Sequence, residues 1–212
     1  MRSPLADSQR EALIVAILPD VPFDGWSQRA LRNAARGLDM TAAEAVALFP
    51  RGAADLVAAF SHWADHRTLD RLSETALEGL GTTARIELAL RLRFEILAPW
   101  REAVRRALSV LALPYNALLG TRLLYETVDG IWYAAGDAAT DFSFYSKRAT
   151  LAGIYASAVL YWLDDRSEEF VDTQAFIERR LADLGRFMRL RHRVETGTSR
   201  LPNPFRLLRP MR

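Results

Sequence analysis

Apolar positions recur at spacings of three and four residues almost from end to end of this chain, the period of helices with one buried face. Leu13, Ile14 and Ile17 share a face of a first helix over roughly 7–18, with Pro19 as its stop. Phe23-Asp24-Gly25-Trp26 reads as a turn, and Ser27 as the N-cap of a helix over about 28–37 that Gly37 ends. Thr41 caps a third short helix to about Leu48, and Pro50 closes it. A fourth helix, 53–67, carries Leu56, Val57, Phe60 and Trp63 on one stripe. Longer helices over 82–98 and 100–113 flank Pro99, and Pro114 opens a stretch running to Ala135. After a loop at 136–140, Asp141 or Ser143 leads into a long apolar helix ending near Leu163. The segment DDRSEEF is a charged turn before a last amphipathic helix over about 171–194. Neither strand alternation nor an internal repeat stands out, so the expected fold class is all-α. The pattern divides into a front unit at 1–50, a helical domain at 51–195 and an irregular basic remainder at 196–212.

Composition sharpens this picture in two places. The chain has no cysteine, which excludes disulfides, thiolate metal sites and cysteine nucleophiles. Its net charge is only +2, but eight arginines and one acid lie between Arg186 and Arg212, leaving 20 basic and 25 acidic residues before them. A basic tail on an acidic body points to an anionic surface as partner, membrane or nucleic acid. Lys147 is the only lysine, a bias to which no function is attached. The first residues have neither the shape of a secretory signal nor the acid-poor character of a presequence, and no run approaches the roughly 18 apolar residues of a membrane span. The expectation is a soluble, cytoplasmic protein, peripheral to the inner or cytoplasmic membrane.

The front unit resembles the helix-turn-helix of TetR-type regulators, carried by ALRNAARGLDMTAAEAVALFPRGAADLV at 30–57. Leu31, Ala34, Ala35 and Leu38 would pack the scaffold helix, and Phe49 would anchor the next. The recognition segment Thr41–Leu48 offers a base-reading surface of alanines and one carboxylate, Glu44, where Arg, Lys, Asn, Gln or Ser would be needed. A retained fold with a lapsed groove-binding function describes it better than a DNA reader.

The back half carries a more specific resemblance. LALPYN, VDGIWYAAGD, TDFSFYSKR, TLAGIY and the closing F-x-D-T-x-A-F-I-x-R-R stand in order between 106 and 181. Together they resemble the lipid-binding accessory family of ubiquinone biosynthesis, the ninth Coq protein. That resemblance implies a TetR-like homodimer whose former ligand cavity holds an isoprenoid quinone precursor. It also implies docking on a di-iron hydroxylase of the quinone ring near a membrane, with no catalysis and no cofactor of the protein's own. The family pattern has a second acid where this chain has Gly130, so one carboxylate of the partner-facing patch is missing.

Particular residues follow. At 100° per residue, Leu124, Val128, Ile131 and Ala135 define the buried stripe of their helix. Trp132 falls at its edge, Asp129 beyond it and Tyr133 well outside. Read alone, Trp132 suits the core and Tyr133 an ordinary exposed aromatic; the resemblance makes Asp129, Trp132 and Tyr133 the partner patch. Phe94, Leu97, Trp100, Val104, Leu108, Leu111, Ile154 and Leu160 suit either a large core or dimer seam, or an apolar tunnel; the resemblance implies the tunnel. In the tail, Phe187 interleaves with Arg189, Arg191 and Arg193, as in a basic surface lying on anionic lipid, against a reading of solvated irregular chain.

Chemistry is sparse. His62 and His66 have the i, i+4 spacing of zinc pairs, but Trp63 stands where a metalloprotease has its glutamate and no third ligand is evident. Glu126 with Asp129, and Asp137 with Asp141, lack the Glu-x-x-His partners of di-iron bundles; the latter pair reads as a helix cap. Ser143 and Ser146 have no histidine nearby. The expectation is an accessory protein without an active site or bound metal. The competing reading is a TetR-type ligand-responsive regulator.

Overall fold

The computed structural model describes residues 4–136 and 142–183, and all regular structure among them is helical. Helix α1 (Pro4–Ile17) turns Leu13, Ile14 and Ile17 fully inward, as their spacing requires. The expected turn at Phe23 is instead the end of a one-turn helix, α2 (Val21–Asp24). Pro22 sits in its first turn, where the missing N–H leaves no bond unmade. Ser27 caps α3 (Gln28–Arg36) by accepting from the Ala30 N–H at 3.2 Å.

Helix α4 (Ala42–Leu48) opens on a reciprocal cap: Thr41 Oγ1 accepts from Glu44 N, and Glu44 Oε2 accepts from Thr41 N at 2.9 Å. The Thr41 hydroxyl, then its backbone N–H, hold the Glu44 carboxyl below its usual pKa. Helix α5 (Ala53–Ser73) runs past the expected end at Arg67, because Thr68 and Leu72 extend its buried stripe. The Thr68 hydroxyl donates to Ala64 O at 2.6 Å and so enters the core without an unmade bond.

The front unit is welded to the rest. Trp26 donates its indole N–H to Ala103 O at 3.1 Å and packs on Phe60, while Arg106 donates to Pro22 O at 2.6 Å. One contiguous buried cluster therefore runs from Leu13 to Leu181. Helices α6 (Thr82–Leu97) and α7 (Arg101–Leu111) meet in a single 3-10 turn, Ala98–Trp100, where Pro99 cannot continue an α-helix. A second such turn, Pro114–Asn116, leads into α8 (Ala117–Ala134), and the chain bends by 100° there. Gly136, at φ +87°, ends α8 in a conformation that side chains disfavour. Helix α9 (Phe142–Asp164) follows. No single helix among the described residues is long and apolar enough to cross a membrane.

The acidic turn after α9 is built around one carboxylate. Asp165 Oδ1 accepts from Ser167 N and Oγ, and Oδ2 from Thr173 N at 2.9 Å and Thr173 Oγ1 at 2.5 Å. These bonds start α10, helical over 171–183, and set Ile177 and Leu181 into the core. Burial works to raise the Asp165 pKa, but the Ser167 and Thr173 hydroxyls and N–H groups outweigh it and hold it below the ordinary value. A depressed folded-state pKa stabilises above the unfolded value of about 4 and ceases to do so as pH falls through the folded value. Asp165→Ala should cost about 2 kcal/mol, seen as faster hydrogen exchange at 171–183. The difference from the parent chain should shrink below pH about 4; an unchanged exchange pattern would show that α10 docks without this turn.

Candidate functional site

Helices α5 to α9 line a half-open cavity of about 470 Å³, within the range of small-molecule sites. Val57, Phe60 and Ala64 come from α5, Leu97 from α6, Val104, Leu108 and Leu111 from α7, Leu123 and Leu124 from α8, and Val159 and Leu160 from α9. Leu160 is 62% exposed and marks the open side. Of the residues expected along a tunnel, Leu97, Val104, Leu108, Leu111 and Leu160 line this cavity. Phe94, Trp100 and Ile154 do not.

Helical phase accounts for the three corrections. Helix α6 turns Arg93 and Leu97 to the cavity, so Phe94, 100° around, faces Trp162 at 5.3 Å. Ile154 is likewise one step off the wall made by Tyr155, Ala156, Val159 and Leu160, and is buried in the core. Trp100 would continue the α7 stripe, but the 3-10 turn breaks its phase, and it packs at the margin of the core.

Sequence reasoning missed the polar end. Arg93 is 2% exposed, yet it faces the cavity beside Thr127 and Tyr155. Its Nη1 pairs with Asp65 Oδ1 at 2.6 Å, its Nε donates to Tyr155 Oη at 2.6 Å, and its Nη2 donates to Thr127 Oγ1 at 3.4 Å. Thr127 Oγ1 donates in turn to Asp65 Oδ1 at 2.8 Å. Burial disfavours the guanidinium charge, but Tyr155 and Asp65 outweigh it and its pKa is raised. The available signal was an arginine on the buried stripe Ile86, Leu90, Arg93, Leu97, where a fourth apolar residue was expected.

Arg93 and Thr127 also form one wall of a smaller pocket of about 220 Å³, lined on its outer side by His62, His66, Glu126 and Gly130. His62 Nε2 lies 3.0 Å from Glu126 Oε2, and Arg122 Nε donates to Glu126 Oε1 at 2.8 Å. Burial opposes ionisation of Glu126, and the His62 and Arg122 contacts more than offset it, lowering its pKa. An acid at Gly130 would stand at this pocket. No group of three or more His, Asp or Glu among the described residues is placed to hold a metal ion.

On the outer face of α8 the expected trio separates. Trp132 is 4% exposed, with the Lys147 ammonium 5.6 Å from its ring centroid, so it is core and not a partner anchor. The expectation failed because α9 covers the stripe's edge. Tyr133 is 81% exposed, and Asp129, partly exposed, pairs with Arg148 Nε at 2.5 Å. Leu118, Tyr125, Asp129 and Tyr133 share the outward face of α8. On α4, Ala42, Ala43, Glu44 and Ala47 are exposed and the Glu44 carboxylate is held by Thr41. Phe187, Arg189, Arg191 and Arg193 lie outside the described residues, as do Asp137 and Asp141.

Residues 117–188, which include α8, α9 and α10, match the family model of COQ9. The chain is 36% identical over 181 residues to the mitochondrial ubiquinone biosynthesis protein COQ9 of Xenopus tropicalis, covering 82% of this chain and 57% of that protein. It is 34% identical over 178 residues to the human COQ9 protein, covering 81% of this chain and 56% of that one. The chain thus resembles COQ9 proteins over about four fifths of its own length. It spans somewhat more than half the length of these relatives. A TetR transcriptional regulator from Nitrosomonas europaea has the same fold, with a TM-score of 0.67 at 22% identity, covering 82% of this chain and 97% of the regulator. A COQ9-like sequence and a TetR-like all-α fold thus meet in one molecule, as the two sequence resemblances implied.

The buried pair at the cavity's polar end has a measurable signature. Arg93→Met leaves Asp65 without its cation and should destabilise the fold by about 3 kcal/mol or more in urea unfolding. Arg93→Met with Asp65→Leu should recover part of that loss. A double variant no more stable than the single one would show that the pair is not energetically coupled.

Proposed function

We propose that this protein is a non-catalytic, lipid-binding accessory of ubiquinone biosynthesis. It holds an isoprenoid quinone precursor in the cavity and presents it to a di-iron ring hydroxylase at a membrane surface, working as a homodimer peripheral to the inner or cytoplasmic membrane. The observation that carries the reading is the roughly 470 Å³ apolar cavity in a chain that resembles COQ9 proteins. The space opens to solvent at Leu160 and its lining is mostly apolar, as suits entry of an apolar ligand. The regulator reading lacks comparable support: the exposed face of α4 is alanines and a carboxylate already held by its own cap.

The cavity can be filled without touching the rest of the fold. Ala156 lines it from α9, and Ala156→Trp places a large side chain inside. Native mass spectrometry and organic extraction of gently purified protein should find a quinone or isoprenoid precursor in the parent chain and little in Ala156→Trp. Repeated emptiness of the parent chain would return these residues to plain core. The partner surface is the outward face of α8, with Tyr125 in the place expected for Trp132. Tyr133→Ala should weaken hydroxylase binding about tenfold or more with an unchanged melting temperature, and an unchanged affinity would remove Tyr133 from the patch.

A further inference from the structure

Two donors at the polar end of the cavity lack a hydrogen-bond acceptor: Arg93 Nη1, which is only ion-paired with Asp65 at 2.6 Å, and the Tyr155 hydroxyl. Tyr155 Oη accepts from Arg93 Nε at 2.6 Å, so its own hydroxyl hydrogen must point elsewhere. Tyr155 is 8% exposed and faces the cavity, and no acceptor for that hydrogen is found among the described residues. A buried donor without an acceptor costs on the order of 1–3 kcal/mol, which an incoming oxygen would relieve. Thr127 offers no competing donor, because its hydroxyl is spent on Asp65 at 2.8 Å.

Charge narrows the class of oxygen. Arg93 is the charged residue on the cavity lining, and Asp65 at 2.6 Å already neutralises it. A carboxylate or diphosphate would add a buried negative charge without a counterion, at high desolvation cost. A neutral carbonyl or ether oxygen adds none. Apart from Ser61 the rest of the lining is apolar, and Leu160 stands at the open side. One polar end and an otherwise mostly apolar lining suit a molecule with a single oxygenated head and a hydrocarbon tail.

We propose that the Tyr155 hydroxyl, held by Arg93, donates to a neutral ring oxygen of the bound lipid, so that a quinone-type head lies at Tyr155 with its tail along Leu124 and Val159 toward Leu160. The proposal rests on the cavity being a lipid site and specifies which lipid chemistry it selects. Arg93 acts here as a positioning residue for Tyr155.

Titration of the full chain with decylubiquinone, dodecylbenzene and dodecanoate separates the possibilities. The parent chain should bind decylubiquinone tightest, and Tyr155→Phe should weaken it on the order of fivefold while leaving dodecylbenzene unchanged. Dodecylbenzene binding also reports whether the variant keeps its cavity. A second measurement needs no variant: the carbonyl stretch of bound decylubiquinone should fall below its value in hexane, as hydrogen bonding requires. An unshifted carbonyl, equal loss of both neutral ligands in Tyr155→Phe, or tighter binding of dodecanoate would overturn the assignment while leaving lipid binding intact. If the parent chain takes up none of the three, the lipid reading falls and this one with it.

Discussion

A guanidinium sealed inside a helical bundle must find partners for its charge and its fixed fork of donors, or the bundle will not close around it. Arg93 finds them on three other helices: Asp65 of α5, Thr127 of α8 and Tyr155 of α9. Because each partner is itself largely buried, none can be moved far without leaving another group unmatched. The register of four helices is thereby tied to one side chain. Apolar contacts alone would tolerate small slides of helix on helix, whereas a fork of hydrogen bonds does not. A tied register is also what allows an apolar space of some 470 Å³ to persist beside the network without collapsing.

The front unit shows the same logic with the opposite functional result. Its helices are started by side-chain caps, Ser27 on α3 and the Thr41–Glu44 pair on α4, and fastened to the bundle by Trp26 and Arg106. These devices preserve a helix-turn-helix geometry whose exposed recognition face is alanine. In α4 the carboxylate that would repel a phosphate backbone serves the start of its own helix. The unit's clearest contribution is therefore packing, which closes the end of the bundle against α5 and α7.

Legibility from sequence followed how local each determinant was. Helix starts at Ser27 and Thr41 and breaks at Pro99 and Pro114 were readable, because capping side chains and missing N–H groups act on their own turn. The end of α5 was not, since Thr68 stays helical only by bonding back to Ala64 in a core that sequence does not display. At the site, Leu97, Val104, Leu108, Leu111 and Leu160 fell on the right stripes, while Phe94 and Ile154 missed by one helical step. Trp132 was misplaced because its exposure is set by α9, a helix ten or more residues further on. The Arg93 network joins residues 62, 34 and 28 positions apart in sequence, so only the oddity of an arginine on an apolar stripe could hint at it.

Position along α8 links the inside of the protein to its outer face. Thr127 looks inward at the network, while Asp129 and Tyr133 look outward from the next turn. A single helix about 10 Å across thus separates the polar end of the cavity from the proposed partner surface. The smaller pocket with His62, Glu126 and Gly130 shares the Arg93–Thr127 wall from the outside. A ring-bearing head at Tyr155 would have Thr127 of α8 beside it, with its tail toward Leu160. A carrier that must keep a hydrocarbon chain out of water yet surrender a ring to another protein needs that asymmetry. Here it arises because α8 is amphipathic in two senses, polar outside and polar again at one inward turn.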